Sequence, residues 1–308
     1  MSAPQPPRPN PLRYGWTPAA PLRRPVLFIN PTSGGGKAVQ VDLAGRARAL
    51  GIEIFTFGPD TSLDELVADA VRGGADGLGV AGGDGSLAVV ATAAVSHGLA
   101  FVCIPAGTRN HFALDLGVDR RDLVGALEAF TEGVERRIDV GQVDERMFLN
   151  NVSIGIYGDA VQRSEYRDAK VRTLAETVRA VLGPSGPAPA VQVVDDRGRE
   201  HARPAVILVS NNPYALNRPL VTGTRPTLAG GQLGIVILDL PDGPRPQASR
   251  AWTASSVVID APEPVHLGID GEAVTLQPPL KLLIRPAVLR VRISSRHPGV
   301  SPAGVLKP

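Results

Sequence analysis

Along the first half of the chain, short continuous apolar runs alternate with stretches that carry apolar residues at helical spacing. Val26-Leu-Phe-Ile-Asn30 reads as a buried strand and Pro31 to Gly36 as a loop. From Lys37 to Leu50 the apolar positions Val41, Ala44, Ala47 and Leu50 predict one amphipathic helix, ended by Gly51. Glu53–Phe57 follows as a strand. Ser62-Leu-Asp-Glu65 is a capping box opening a helix to about Arg72. Gly77–Ala81 is a third strand, Ser86–Ser96 a helix and Ala100–Ile104 a fourth strand. Regular alternation of strand and helix predicts a parallel sheet covered on both faces. Ligands bind such sheets beyond the carboxyl ends of the strands.

The pattern changes near Val140. One helical stretch, Asp159–Leu182, stops at the breaker cluster Gly183-Pro-Ser-Gly-Pro187. The remainder reads as strands at Ala190–Val194, Ala205–Ser210, Leu233–Leu240, Ser255–Ile259, Val265–Ile269, Leu280–Arg285 and Val288–Ile293. Asp195-Asp-Arg-Gly198 and Asp270-Gly271 supply turn chemistry. The expected organisation is a Pro/Arg-rich tail (1–24), an α/β domain (25–140), a β-rich, sandwich-like domain (141–293) and a poorly ordered tail (294–308).

Composition narrows the picture only slightly. The 308 residues are 43% hydrophobic and 20% charged, with a net charge of +2, so neither disorder nor nucleic-acid binding is indicated. Cys103 is the single cysteine; it excludes an internal disulfide, suits a reducing cytoplasm, and reads as a small buried hydrophobe. No run approaches the ~18 apolar residues of a spanning helix. Any meeting with lipid is therefore expected at a membrane surface, peripherally at the inner face. The first 24 residues carry Arg8, Arg13, Arg23 and Arg24 and no acid, which suits either an anionic lipid surface or a solubilising tail; the tail is the reading preferred.

Candidate chemistry gathers in three loops, each at a strand's carboxyl end. Asn30-Pro-Thr-Ser-Gly-Gly-Gly-Lys37 leaves a strand and enters a helix. Consecutive glycines let the backbone approach a polyanion, the helix start offers free N–H groups, and Lys37 adds a point charge. A merely tight turn would need one glycine rather than three. Gly77-Leu-Gly-Val-Ala-Gly82 matches G-x-G-x-x-G but is itself the strand, so the dinucleotide reading is rejected. The loop proper is Gly82-Gly-Asp-Gly85, capped by Ser86. There Asp84 can hold Mg²⁺ on nucleotide phosphates or accept a hydroxyl proton. In Pro105-Ala-Gly-Thr-Arg-Asn110, Thr108 and Asn110 offer hydrogen bonds and Arg109 a bidentate phosphate contact. Gly268-Ile-Asp-Gly-Glu272 reads as a hairpin turn, or as a mount for Glu272 as a desolvated general base. The histidines fall in no metal-ligand spacing.

Taken in order, these segments resemble the diacylglycerol kinase catalytic-domain family, which includes bacterial lipid kinases and sphingosine-kinase relatives. The matching residues are Asn30-Pro-x-Ser-Gly-Gly-Gly-Lys37, Gly82-Gly-Asp-Gly-Ser86, Pro105-Ala-Gly-Thr-x-Asn110 with Phe112 and Ala113, Asn150-Asn-Val-Ser-x-Gly155, Ser210-Asn-Asn-Pro-Tyr214 and Asp270-Gly-Glu272. The resemblance implies a Rossmann-like, phosphofructokinase/NAD-kinase-like nucleotide domain followed by a β-sandwich-like domain. In many relatives the last segment returns to the first domain. It implies ATP and Mg²⁺, with phosphates held by Asn30, Ser33, Gly34, Gly35, Gly36 and Lys37. Gly82, Gly83, Asp84 and Gly85 would hold nucleotide and Mg²⁺, and Thr108 and Asn110 would line the same pocket. Glu272 would be the base, with Asp84 its rival. Asp159 and Arg109 would meet the substrate.

Two departures stand out. His111 follows Asn110 where relatives usually have an acid, and Ala229-Gly-Gly-Gln-Leu233 replaces an acidic turn. Those acids build a structural Mg²⁺ network in bacterial members, so that network is expected to be absent here. The function expected is phosphorylation of a lipid hydroxyl such as that of diacylglycerol. Its rivals are a soluble acceptor, as in NAD kinases, and a nucleotide-binding module without turnover. Expected partners are lipid at a membrane surface and no nucleic acid, with a homodimer as the candidate assembly.

Overall fold

The computed structural model describes residues 10–155, 191–202, 204–216, 223–239 and 249–305. The helix expected over Asp159–Leu182 lies outside these residues, as does Asp159 itself. The chain divides into two compact units: Met1–Ile138 with Leu289–Val305, and Asp139–Val288 with Leu306–Pro308.

Unit 1 is built on the parallel strands β2 (Pro25–Ile29), β3 (Glu53–Thr56), β4 (Gly77–Ala81) and β5 (Ala100–Ile104). In β2, β4 and β5 all five residues are buried, because helices cover both faces and no position needs to be polar. β2 lies between β3 and β4. The chain therefore runs from β2 outward to β3, then returns to build β4 on the other side. A parallel sheet that reverses direction in this way leaves a crevice at the carboxyl ends of the two central strands. Leu27, Ile29, Leu43, Ala47, Val102 and Phe130 belong to the core beneath it.

Three details depart from the sequence reading. The helix expected over Lys37–Leu50 is two helices, α1 (Lys37–Gln40) and α2 (Leu43–Ala49). Asp42 sits between them at φ +46°, and its carboxylate accepts from the Gly45 N–H at 3.2 Å. A side chain at Gly45 would strike that carboxylate. Secondly, Gly83, not Ser86, precedes helix α4 (Asp84–His97), so Asp84 and Gly85 form its first turn; α3 is Leu63–Arg72, capped by the Ser62 hydroxyl as expected. Thirdly, the terminal stretches read as tails are docked over their described lengths. Trp16 is buried and its indole N–H donates to the Gly299 carbonyl at 2.6 Å; Thr17–Pro18 pairs with Glu135 and Val134. His297, Ser301 and Ala303 are buried as well. Proline-rich composition suggested disorder, but Trp16 and Pro11 find apolar cover.

Unit 2 holds a six-stranded antiparallel sheet in the order Ser249–Ala254, Leu233–Asp239, Pro204–Asn211, Asn151–Ile154, Val265–Ile269, Glu272–Leu276. A second antiparallel set joins Glu200–Ala202, Gln192–Asp195, Ser256–Asp260 and the first part of the long strand Leu280–Ser294. Val152, Ile154, Val209, Ile235 and Leu267 of the former share one core with Val193, Val257, Ile259 and Leu282 of the latter. This is the sandwich-like arrangement expected from the succession of short strands. The two strands expected at Leu280–Arg285 and Val288–Ile293 are one. Ala287 is left-handed (φ +54°) within it, which reads as a break in the sequence. The later part of this strand belongs to unit 1, where Arg290 and Arg292 pair in parallel with Ala100 and Val102 of β5.

The turn at Asp195 carries a pH prediction. Burial pulls the Asp195 carboxyl up, but it is outweighed by the Arg199 side chain and the Arg199 and Arg197 N–H groups, which hold it down at about 2. A carboxylate depressed on folding stabilises above its ordinary pKa near ~4 and loses that contribution as pH falls through the folded value. Asp195→Asn is therefore expected to lower stability at neutral pH and to flatten the acid limb between roughly pH 4 and 2 in thermal melts.

Candidate functional site

The three glycine loops of unit 1 converge at the crevice beside β2 and β4. In the first, Gly34, Gly35 and Gly36 are all left-handed (φ +56°, +76° and +78°), a run that only glycine adopts cheaply. A Cβ on Gly34 would lie 2.2 Å from the Ala106 carbonyl oxygen and 3.0 Å from that of Gly107, so this loop rests on the third with no room between. A Cβ on Gly107 would lie 2.9 Å from the Gly82 oxygen and 3.3 Å from the Gly83 Cα, which seats the third loop on the second. Gly35 and Gly83 face open space, with nothing within 4 Å of an added Cβ. Close backbone packing thus fixes the loops to one another while leaving part of their surface uncovered.

Side chains lock this arrangement. The Asn30 carboxamide oxygen accepts from the Thr32 N–H (3.0 Å) and hydroxyl (2.8 Å), shaping the first loop from within. Ser33 opens a 3₁₀ turn whose carbonyl accepts from Gly36 N–H. The Lys37 ammonium donates to the Gly107 carbonyl at 3.1 Å, tying first loop to third. Asn110 is buried and left-handed (φ +53°), and its amide donates to the carbonyls of Pro105 (3.0 Å) and Gly107 (2.8 Å). Thr108 is exposed and Arg109 half-buried on the same loop. The Ser86 hydroxyl donates to the Gly83 carbonyl at 2.7 Å and leaves no room for a side chain at Gly82.

The electrostatics are those of an anion site with one carboxylate in it. Asp84 begins the 14-residue helix α4, whose N-terminal N–H groups carry the positive end of the helix dipole. Burial lowers the His111 imidazole pKa and Arg109 and Arg120 push the same way, against the Asp84 and Asp115 carboxylates. Arg120 donates to the Arg109 carbonyl at 3.1 Å. Burial, with Asp84 adding to it, raises the Cys103 thiol far above its ordinary value, so it is inert.

Residues 24–143 match the family profile described as the diacylglycerol kinase catalytic domain. This part of the chain is similar to diacylglycerol kinase catalytic domains. Among curated proteins, it is 32% identical over 135 residues to the diacylglycerol kinase of Bacillus subtilis (strain 168), covering 42% of this chain and 45% of that one. Against the diacylglycerol kinase of Mycobacterium tuberculosis (strain ATCC 25618 / H37Rv) it is 28% identical over 124 residues, covering 39% and 40%. These matches span about half the length of the curated relatives. A crystal structure of a diacylglycerol kinase from Bacillus anthracis str. Sterne superposes with a TM-score of 0.61 at 16% identity, covering 89% of this chain and 97% of the other. That likeness shows the two-unit fold.

Within unit 2 the remaining motif residues form a buried polar network of their own. Asp270 is buried and left-handed, and its carboxylate accepts from the N–H groups of Leu149 (2.7 Å), Asn150 (2.8 Å) and Asn151 (3.0 Å). It anchors the Asn150-Asn151 segment, which is why this turn takes an aspartate. Glu272, the expected base, opens the next strand opposite Ile269 and is exposed rather than desolvated. Asp139 accepts from the Asn212 amide (3.1 Å) and the Gly231 N–H (2.7 Å) with one oxygen, and from the Ala287 N–H (2.9 Å) with the other. The Ala229–Leu233 turn thus offers the Gly231 N–H to a carboxylate and the Gly230 N–H to the Asn212 carboxamide oxygen at 2.8 Å.

Sequence reasoning missed Arg225. It is fully buried, and its guanidinium donates to the carbonyls of Leu149 (2.6 Å) and Asn211 (2.8 Å) and to the Asn150 carboxamide oxygen (3.0 Å). It also lies 5.6 Å from the centre of the Tyr214 ring. An arginine in a Thr-Arg-Pro stretch gives no signal of this, because every partner is distant in sequence.

Proposed function

We propose that the chain is an ATP-dependent lipid kinase that transfers the γ-phosphate to a lipid hydroxyl such as that of diacylglycerol. The observation that carries this reading is the mutual seating of the three loops at the sheet's reversal point, with Gly35 and Gly83 left open. Backbone N–H groups of the first loop and of the α4 N-terminus suit the β- and γ-phosphates. Lys37, now spent on the Gly107 carbonyl, has a phosphate as its alternative partner. The residues present fit Mg²⁺: Asp84 would supply a carboxylate to hold it beside the nucleotide phosphates. When bound, the ion neutralises charge on the phosphates.

In the transfer, the acceptor hydroxyl oxygen bonds to the γ-phosphorus as the bond to the β–γ bridging oxygen breaks, ADP leaves, and a carboxylate takes the hydroxyl proton. Glu272 is assigned that proton, with Asp84 the alternative. Arg109 and Asp159 are assigned to the acceptor. The relatives named diacylglycerol kinase support a lipid rather than a soluble acceptor.

Transfer of labelled γ-phosphate from Mg²⁺·ATP to diacylglycerol in mixed micelles tests the reading. Label is expected in the lipid, reduced about a hundredfold or more in Asp84→Asn, in line with loss of a group that stabilises the transferring phosphoryl. Absence of label in any lipid, with ATP still bound, would overturn it.

A further inference from the structure

We infer that the turn Pro11–Tyr14 of unit 1 is a docking element for bilayers containing anionic lipid; the inference rests on the lipid-kinase reading for its purpose, not for its test. Among the described residues few large apolar side chains are exposed, and two of them, Leu12 (51%) and Tyr14 (37%), stand on this one 3₁₀ turn. Their exposure does not come from a loose segment. Pro11 and Trp16 on either side are buried, Gly15 caps the turn in the left-handed conformation, and Arg136 donates to the Tyr14 carbonyl at 3.0 Å. Rigidly mounted apolar side chains gain from entering a bilayer interface without first losing much conformational freedom.

Beside the turn lies an open groove of about 480 Å³, lined mainly by Pro11, Leu12, Pro18, Ala19, Pro21 and Val134, with Glu132 as its one acid. Such a surface suits acyl chains more than a polar ligand. The charge around it selects the kind of bilayer. From Asn10 to Arg24 there are three arginines, Arg13, Arg23 and Arg24, all exposed, and no acid. Of the neighbouring carboxylates, Asp76 accepts the Arg23 and Arg24 N–H groups and Glu135 is paired with Arg290. Basic side chains next to interfacial apolar ones favour anionic headgroups.

The turn is also tied to the candidate site. Helix α5 (His111–Asp115) follows directly from the Asn110 loop, and Gly117 beyond it is packed against Gly299 and Val300. Gly299 in turn is packed against Pro11 and Trp16. A turn seated through these contacts would hold the nucleotide loops at a fixed distance from the lipid surface.

Co-sedimentation of the full chain with vesicles of phosphatidylcholine, with and without about 30% phosphatidylglycerol, tests this. Wild type is expected to partition onto the anionic vesicles at least tenfold better than onto neutral ones, and less well as salt rises. Leu12→Ser/Tyr14→Ser and, separately, Arg13→Glu should each lower that partition about tenfold, while far-UV circular dichroism and thermal melts stay as in wild type. Unchanged partition in the variants, equal binding to neutral vesicles, or no vesicle binding by wild type would each overturn the inference; retention of a protein partner instead of vesicles would point the same way. Phosphotransfer to a short-chain diacylglycerol dispersed without a bilayer keeps the two readings apart: its failure removes the kinase reading alone.

Discussion

Gly34→Val is expected to abolish nucleotide binding and to destabilise unit 1 by about 4 kcal/mol, from about 1–3 for a β-branched residue held at positive φ and about 1–3 for overpacking. The collision is with backbone: the new Cβ would meet the Ala106 oxygen at 2.2 Å and the Gly107 carbonyl at 3.0 Å. No rotamer change relieves it, so either the first loop lifts from the third or the chain leaves the left-handed region. Both moves break the Lys37 contact to Gly107 and pull the loop from its neighbours. Gly35→Ala supplies the comparison, since it shares the positive φ but meets nothing within 4 Å. It should cost about 1–2 kcal/mol and retain measurable binding. Isothermal titration with an ATP analogue and urea unfolding read both quantities. Equal losses in the two variants would mean that conformation alone, and not the seating of the loops, decides.

Arg225→Met is the second large effect, with an expected cost of about 3–5 kcal/mol to unit 2. The substitution keeps much of the volume, so a cavity is not the cause. It takes the guanidinium from the buried Asn211 carbonyl and Asn150 carboxamide oxygen, each costing about 1–3 kcal/mol if it finds no other donor, while the Leu149 carbonyl keeps the Asn211 amide at 3.2 Å. Arg225→Lys should fall between, because one ammonium cannot reach all three acceptors in the planar geometry of a guanidinium. The midpoint of urea unfolding followed by Trp252 fluorescence is the measurement. A cost below about 1 kcal/mol for Arg225→Met would mean that water replaces the guanidinium, and would remove Arg225 from the role given to it.

How much of this was legible in the sequence depended on the range of the forces involved. Gly77–Ala81, Ala100–Ile104 and Val265–Ile269 form strands over the very residues expected, because each is a short apolar run closed by glycine, proline or a turn. The three glycine loops were legible for the same local reason. The eleven-residue strand Gly133–Val143 was not, since Glu135, Arg136, Arg137 and Asp139 interrupt any apolar run. Glu135 is held by Arg290 and Asp139 by Asn212, Gly231 and Ala287, all far along the chain. Asp42 broke an otherwise regular helix through a hydrogen bond three residues long, which spacing alone does not announce. Asp270 was read as a turn former, and it is one. That its carboxylate organises Leu149 to Asn151 requires knowing which strands lie side by side. In the site, the sequence could name the loops but not the order in which they rest on one another.

The pairing of Leu289–Ser294 with β5 sets a clock on the ribosome. Until that last strand emerges, β5 offers a bare hydrogen-bonding edge and the sheet under the glycine loops lacks its outer neighbour. About two hundred residues separate the two strands, which at roughly 5–20 residues per second means an edge left open for about 10–40 seconds of synthesis. Through that interval the nascent first unit would depend on chaperones or on its own slow collapse to avoid pairing with other chains. Slowed translation of the β-rich middle segment would lengthen the exposure, so the yield of native protein should respond to codon choice there even though no residue of the glycine loops is changed.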